Sequence, residues 1–247
     1  MKKSYILVID SGVGGVSILK ELKKTFKNES FIYLCDNLNA PYGNKTKKFL
    51  TQNIISLIKE QLKIFEIKLI VFACNTLTAS SIQEVRKTFN IKIVGIEPNI
   101  KALFKSGEKG LVLATNLTKK HSKILKQYKS SKIKIVGLKN VAKLLDDNFN
   151  SREKVINELK RELSAYKNYN NVVLGCTHYN FLKEEIKLAL NNCDVKFYDS
   201  IDGIIKRVEF LLKINKLENL VENEQEVLIF TTKSNKNLLN NVKKIIK

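Results

Sequence analysis

Short apolar runs alternate along this chain with longer segments in which apolar residues recur every three or four positions. The runs YILVID (5–10), FIYLCD (31–36), LIVFA (69–73), IKIVGI (91–96), GLVLA (110–114), IKIVG (133–137), NVVLG (171–175), VKFY (195–198) and EVLIFT (226–231) read as strands. Several are apolar at successive positions, so both faces need covering, as in a buried parallel sheet. The intervening segments 16–26, 47–65, 78–89, 119–128, 152–166, 182–191 and 202–217 have helical period, and one more helix follows the last strand. Strand and helix in turn predict an α/β fold with crossover helices.

The pattern occurs twice. IKLIVFACNTLTASSIQEV in the first half and NNVVLGCTHYNFLKEEI in the second each set a cysteine, Cys74 or Cys176, between a strand and a helix. The opening VIDSG, with Asp10, has a counterpart in VLATN, with Thr115, at nearly the same spacing. This predicts two similar α/β units related by pseudo-twofold symmetry: residues 1–96 together with 210–247, and residues 97–209. The last strand is expected to return to the first unit, with Pro98 marking the passage out of it. Parallel sheets place ligands beyond the carboxyl ends of their strands, so both cysteines are expected to face a crevice between the units.

Composition narrows the class. A hydrophobic share of 44% with 28% charged residues is that of a folded globular protein. The N-terminus enters a strand without a signal-peptide core, and no run of about 18 apolar residues occurs. A cytoplasmic protein without membrane contact is expected. The four cysteines, Cys35, Cys74, Cys176 and Cys193, form no C-x-x-C pair, which fits neither a zinc ribbon nor a disulfide framework; no metal is expected. The net charge of +20 invites a nucleic-acid partner. The lysines, however, are spread over most helical stretches without interleaved aromatics, which reads as a solvated surface.

Chemistry concentrates at strand ends. Cys74 precedes a helix, whose first amides and dipole favour thiolate, and Asn75 and Thr76 add an amide and a hydroxyl suited to a carboxylate. A strand-end cysteine is otherwise a small buried apolar group. In Gly175-Cys176-Thr177-His178 the imidazole lies two residues from the thiol and can exchange its proton; taken alone, the pair also fits a thiol hydrolase. Two thiols on opposite sides of one carbon can serve in turn as base and acid, inverting a stereocentre without a cofactor. The loop Asp10-Ser11-Gly12-Val13-Gly14-Gly15 resembles a dinucleotide fingerprint, with Asp36 ending the second strand, and leaves a nicotinamide oxidoreductase as an alternative. Against that, Ser17 occupies the third glycine position and Asp10-Ser11 precedes the first. Asp10 can instead partner Cys74 or a substrate ammonium, or simply cap the strand. Pro41-Tyr42-Gly43 is an ordinary turn or a source of amides for a carboxylate.

Together Asp10-Ser11-Gly-x-Gly-Gly, Pro41-Tyr42-Gly43, Ala73-Cys74-Asn75-Thr76, Gly95-Ile96-Glu97-Pro98 and Gly175-Cys176-Thr177-His178 resemble the glutamate racemases of the aspartate/glutamate racemase superfamily, over about residues 5–232. The resemblance implies two α/β domains with substrate between them, no cofactor, and interconversion of L- and D-glutamate for peptidoglycan synthesis by a homodimer. It implies that Cys74, assisted by Asp10, works on the Cα proton of D-glutamate and Cys176, assisted by His178, on that of L-glutamate. Asp10, Ser11, Pro41, Tyr42, Gly43, Asn75, Thr76, Thr118, Thr177 and His178 match substrate-holding positions. Within the superfamily, an aspartate or other amino-acid racemase is the alternative. The chain departs from the family at Asn180, where a proline is usual, and in LKNVAKLLDD (138–147), which lacks prolines and has Asp146 where a glutamate is common.

Overall fold

Each apolar run of the sequence forms a strand in the computed structural model, which describes residues 3–219 and 224–246. The chain begins β1 (Ser4–Asp10), α1 (Val16–Thr25), β2 (Ser30–Cys35), α2 (Lys47–Ile64), β3 (Glu66–Phe72), α3 (Asn75–Thr88) and β4 (Lys92–Gly95). It continues with α4 (Ile100–Ser106), β5 (Gly110–Thr115), α5 (Asn116–His121), α6 (Lys123–Gln127), β6 (Ile133–Leu138), α7 (Val141–Asp147) and α8 (Glu153–Leu163). It ends β7 (Asn171–Gly175), α9 (Lys183–Leu190), β8 (Lys196–Tyr198), α10 (Ile201–Ile214), β9 (Val227–Thr231) and α11 (Lys236–Ile246).

The strands make two parallel sheets, ordered β4-β3-β1-β2-β9 and β6-β5-β7-β8. β2 and β5 are buried at every position, which explains why their sequences lack the alternation of a one-faced sheet. One face of the first sheet packs Leu19 and Leu22 of α1, Val208 and Leu212 of α10, and Leu238 and Val242 of α11. Its other face packs Leu50, Ile54 and Ile58 of α2 and Leu77, Ile82 and Val85 of α3. The second sheet is covered by Val141 and Leu145, Val155 and Leu159, and Ile186 and Leu190 on one side, and by Ile100, Leu103 and Leu125 on the other. Burying each such side chain contributes about 1.5–3 kcal/mol.

β9 pairs with β2, so the last strand does return to the first sheet. α10, which spans residue 209, belongs with that sheet's core through Ile204, Val208, Leu211 and Leu212. The two chain crossings between the sheets are tied together: Ser200 Oγ donates to the Glu97 carbonyl and Asn99 Nδ2 to the Asp199 carbonyl.

Four elements differ from the sequence pattern. The helix expected over 119–128 is two, because the Ser122 hydroxyl accepts the Leu125 amide and starts a new helix from an extended residue. α3 starts at Asn75, not at residue 78, which puts Cys74 at its N-cap. α4 and α7 were not read from the pattern; α7 buries only Val141 and Leu145, too few positions to establish a period. No helix among the described residues is long and apolar enough to cross a membrane.

Candidate active site

The carboxyl ends of β1, β3, β5 and β7 converge, and each delivers functional groups to the same cleft: Asp10, Cys74, Thr115 and Cys176. The loop after β1 is shaped by close approach. A Cβ on Gly14 would lie 2.5 Å from both His178 Nδ1 and Thr177 Oγ1, and one on Gly12 would meet the Asp146 carboxylate. Only hydrogen fits at these places. The Tyr33 hydroxyl donates to the Gly12 carbonyl at 2.6 Å and fixes the loop from below.

The same loop answers the dinucleotide alternative. Its Gly12 amide donates to Asp10 Oδ1 at 3.0 Å and its Val13 amide to Asp146 Oδ1 at 3.1 Å, so amides that would face a pyrophosphate are already taken by carboxylates. Asp36, the residue a ribose would need, is fully buried. Its oxygens accept the Tyr42 hydroxyl, the Asn39 and Asn53 amides and the Thr232 hydroxyl.

Asp10 is completely buried, and burial raises its pKa to about 6. The positive charge of His178, the Gly12 amide and the Thr177 hydroxyl oppose that rise, while the Asp146 charge adds to it. Cys74 is 6% exposed. Burial and then the Asp10 charge push its thiol well above the ordinary range, against the Leu77 and Thr76 amides at the start of α3. Cys176 also raises it, so each thiol lies within the other's field.

Beside Cys74, Asn75 Nδ2 donates to the Ile96 carbonyl at 3.4 Å, and its Oδ1 is buried without a protein partner. Thr76 Oγ1 lies 2.9 Å from Thr115 Oγ1 and 3.2 Å from Thr118 Oγ1, a hydroxyl cluster shared between the two sheets. Ser11 is buried and Pro41 half-buried; both line one 310 Å³ cavity. Tyr42 is not a cleft side chain: its ring is buried and its hydroxyl donates to Asp36 at 2.8 Å, leaving only its backbone and that of Gly43 to border the cleft. Gly43 lies against Thr115, whose Cβ would be 3.1 Å from an added Cβ.

Cys176, also 6% exposed, ends β7 in extended conformation, and a one-turn 3-10 helix from Thr177 to Phe181 follows. His178 Nδ1 lies 3.7 Å from Cys176 Sγ, and His178 Nε2 lies 3.1 Å from both oxygens of Asp146. Burial lowers the His178 pKa, but the charge and hydrogen bond of Asp146, together with Cys176, outweigh it and hold the imidazole well above its ordinary value. The Thr177 hydroxyl donates to Asp10 Oδ2 at 3.0 Å, joining the two thiol neighbourhoods.

Hydrogen bonds and close contacts thus bring Asp10, Thr76, Thr115, Thr118, Thr177 and His178 together with Cys176, whereas Ser11 and Pro41 line the 310 Å³ cavity and the Tyr42 hydroxyl is turned to Asp36. Two residues noted in the sequence without a site role belong to this network. Thr115, the counterpart of Asp10, carries the hydroxyl that caps α5 by accepting the Thr118 amide. Asp146, which stands where the family commonly has a glutamate, sits on α7 and holds His178. Asn180, at the family's proline position, reaches Ser17 Oγ at 3.4 Å. Among the described residues no group of three or more His, Cys, Asp or Glu side chains is disposed to hold a metal ion.

No protein-family profile matches the chain. The glutamate racemase of Buchnera aphidicola is 36% identical over 244 residues, covering 94% of this chain and 92% of its own. The crystal structure of Escherichia coli glutamate racemase in complex with L-glutamate and the activator UDP-MurNAc-Ala is similar with a TM-score of 0.86 and 25% identity, over 99% of this chain and 96% of that one. The glutamate racemase of Francisella tularensis, in complex with D-glutamate, is similar with a TM-score of 0.82 and 26% identity, over 100% and 94%.

Proposed function

The chain belongs to the glutamate racemase family, and from that premise we propose that it interconverts L- and D-glutamate by moving the Cα proton between Cys74 and Cys176. The observation that carries this is the pairing of the two thiols in one cleft, each beside its own ionisable partner: Asp10 for Cys74, and His178 backed by Asp146 for Cys176.

Burial and a nearby carboxylate keep Cys74 protonated, the form that donates. On the other side His178, held by Asp146, lies 3.7 Å from Cys176 Sγ, within reach to exchange that thiol's proton. With L-glutamate bound, Cys176 thiolate takes the Cα proton on one face and the Cys74 thiol delivers its own on the other. D-glutamate leaves, and the thiols have exchanged states. In the reverse direction Asp10, ionised above about pH 6, can serve as the base that receives the Cys74 proton.

The Cα proton is very weakly acidic, so the carbanion must be stabilised as it forms. Ser11, Asn75, Thr76, Thr118, Thr177 and the backbone at Pro41–Gly43 supply hydroxyls and amides for the substrate's carboxylates and ammonium. A cleft this buried removes competing water. The relatives crystallised with L- and D-glutamate support the same substrate here. The D-glutamate formed would serve peptidoglycan synthesis in the cytoplasm.

The test is racemisation in D₂O without added cofactor, following optical rotation and loss of the Cα-proton signal. Wild-type protein is expected to do both with L-glutamate. Cys74→Ser and Cys176→Ser are each expected to lose at least about 100-fold in racemisation rate. Undiminished racemisation by either variant would rule out the two-thiol mechanism, and inertness toward glutamate with turnover of aspartate would move the substrate.

A further inference from the structure

The 310 Å³ cavity that reaches Ser11 and Pro41 is rimmed by four charged side chains: Lys143, Asp146, Asp147 and Lys233. Three of them are balanced locally. Asp146 carries His178 and the Val13 amide, and Asp147 ion-pairs with Lys143 one turn earlier on α7. Among the described residues no carboxylate pairs with Lys233. Of the four rim side chains Lys233 is thus the one without an ion-pair partner among the described residues, and glutamate, with two carboxylates and one ammonium, arrives with one net negative charge.

The backbone at this exposed lysine is anchored to the rim. It follows β9, and the chain there is bonded to the segment that leads into the substrate loop. The Thr232 amide donates to the Cys35 carbonyl at 3.1 Å and the Thr232 hydroxyl to Asp36 Oδ1 at 2.7 Å, while that hydroxyl accepts the Leu38 amide at 3.0 Å. Asn37 then clamps the Lys233 backbone from both sides, Nδ2 donating to its carbonyl at 2.8 Å and Oδ1 accepting its amide at 2.9 Å. Its backbone moves with the rim.

We propose that Lys233 is the anion-capture residue of this cleft, attracting the carboxylates of incoming glutamate to the Ser11–Pro41 mouth and taking no part in proton transfer. The assignment rests on the glutamate reading above. A single charge at a cleft mouth acts through its field, so its effect belongs in kcat/KM and fades as salt shortens the screening length, from about 10 Å at 0.1 M to a few Å near 1 M.

The experiment measures kcat and KM with L-glutamate for wild type, Lys233→Glu, Lys233→Gln and Lys233→Arg across that range of ionic strength. At low salt Lys233→Glu is expected to lose about five- to ten-fold in kcat/KM and Lys233→Gln about two- to three-fold, with kcat within about two-fold of wild type. Lys233→Arg keeps the charge and is expected to match wild type. The deficits should shrink as salt rises. The proposal is overturned if Lys233→Glu equals wild type at low salt, if its deficit is unchanged at high salt, or if the loss lies in kcat. Wild-type turnover separates the two levels: a wild type inert toward glutamate overturns the substrate reading and the capture role with it, whereas an active wild type with a salt-insensitive Lys233→Glu overturns the capture role alone.

Discussion

Asp10 sets stability against chemistry at a single side chain. Its pKa rises from 3.8 in the unfolded chain to about 6 in the fold. The native state therefore binds this proton more tightly. The resulting stabilisation is fully present below about pH 4 and is lost as pH climbs through about 6. A difference of this size corresponds to about 3 kcal/mol. Asp10→Asn is thus expected to be more stable than wild type at pH 8, by up to that amount, and nearly equal to it at pH 4, as read from urea midpoints at the two values. The same ionisation should produce an acid limb near pH 6 in wild-type kcat/KM, absent from the residual activity of the variant. A variant no more stable at pH 8 than at pH 4, relative to wild type, would show that the buried carboxylate is better solvated than its surroundings indicate.

Among the elements, the loop between β1 and α1 ties the two sheets together most closely. His178 is fixed by Asp146 and Thr177 by Asp10, so neither can yield to a methyl group placed 2.5 Å away. Gly14→Ala is expected to cost about 1–3 kcal/mol of stability and to lower kcat/KM at least ten-fold, measured by urea unfolding and steady-state kinetics. Wild-type kinetics in that variant would contradict the fit. Gly12 and Gly14 were visible in the sequence; their reason was not, because the atoms that exclude a Cβ there come from residues more than a hundred positions away. The strands were legible because burial on both faces writes an unbroken apolar run. The start of α3 was not, because Asn75, Thr76 and Thr78 are polar yet buried, turned to the cleft instead of solvent, and so interrupt the apolar period. Asp146 was noted as a departure from the family, but its partners His178 and Val13 were not legible, because they depend on where α7 packs. Tyr42 was expected to hold substrate, but its hydroxyl is turned to Asp36, a partnership settled by the fold around the turn.

Across the whole molecule, two apolar cores meet through polar contacts. Asp10 with Thr177, Thr76 with Thr115 and Thr118, Val13 with Asp146, and Ser17 with Asn180 all cross between the sheets. Each such bond contributes about 0.5–1.5 kcal/mol net, far less than either core. The seam between the sheets is therefore the place to open for substrate. Saturating glutamate is expected to slow amide hydrogen exchange in segments 11–15, 74–78, 115–118 and 176–180 while leaving the central strands unchanged. Protection confined to the strands would contradict a soft seam. The return of β9 has a further consequence, for synthesis. The second sheet has all its strands once residue 198 has been made, whereas β2 keeps an open edge until residues 227–231 emerge to pair with it. Thr232, which reaches back to Asp36 and through it to Tyr42, arrives later still. A nascent chain interrupted just before β9 would already carry both cysteines, yet lack the clasp that holds the loop beside them, so the cleft is completed only once β9 has been made.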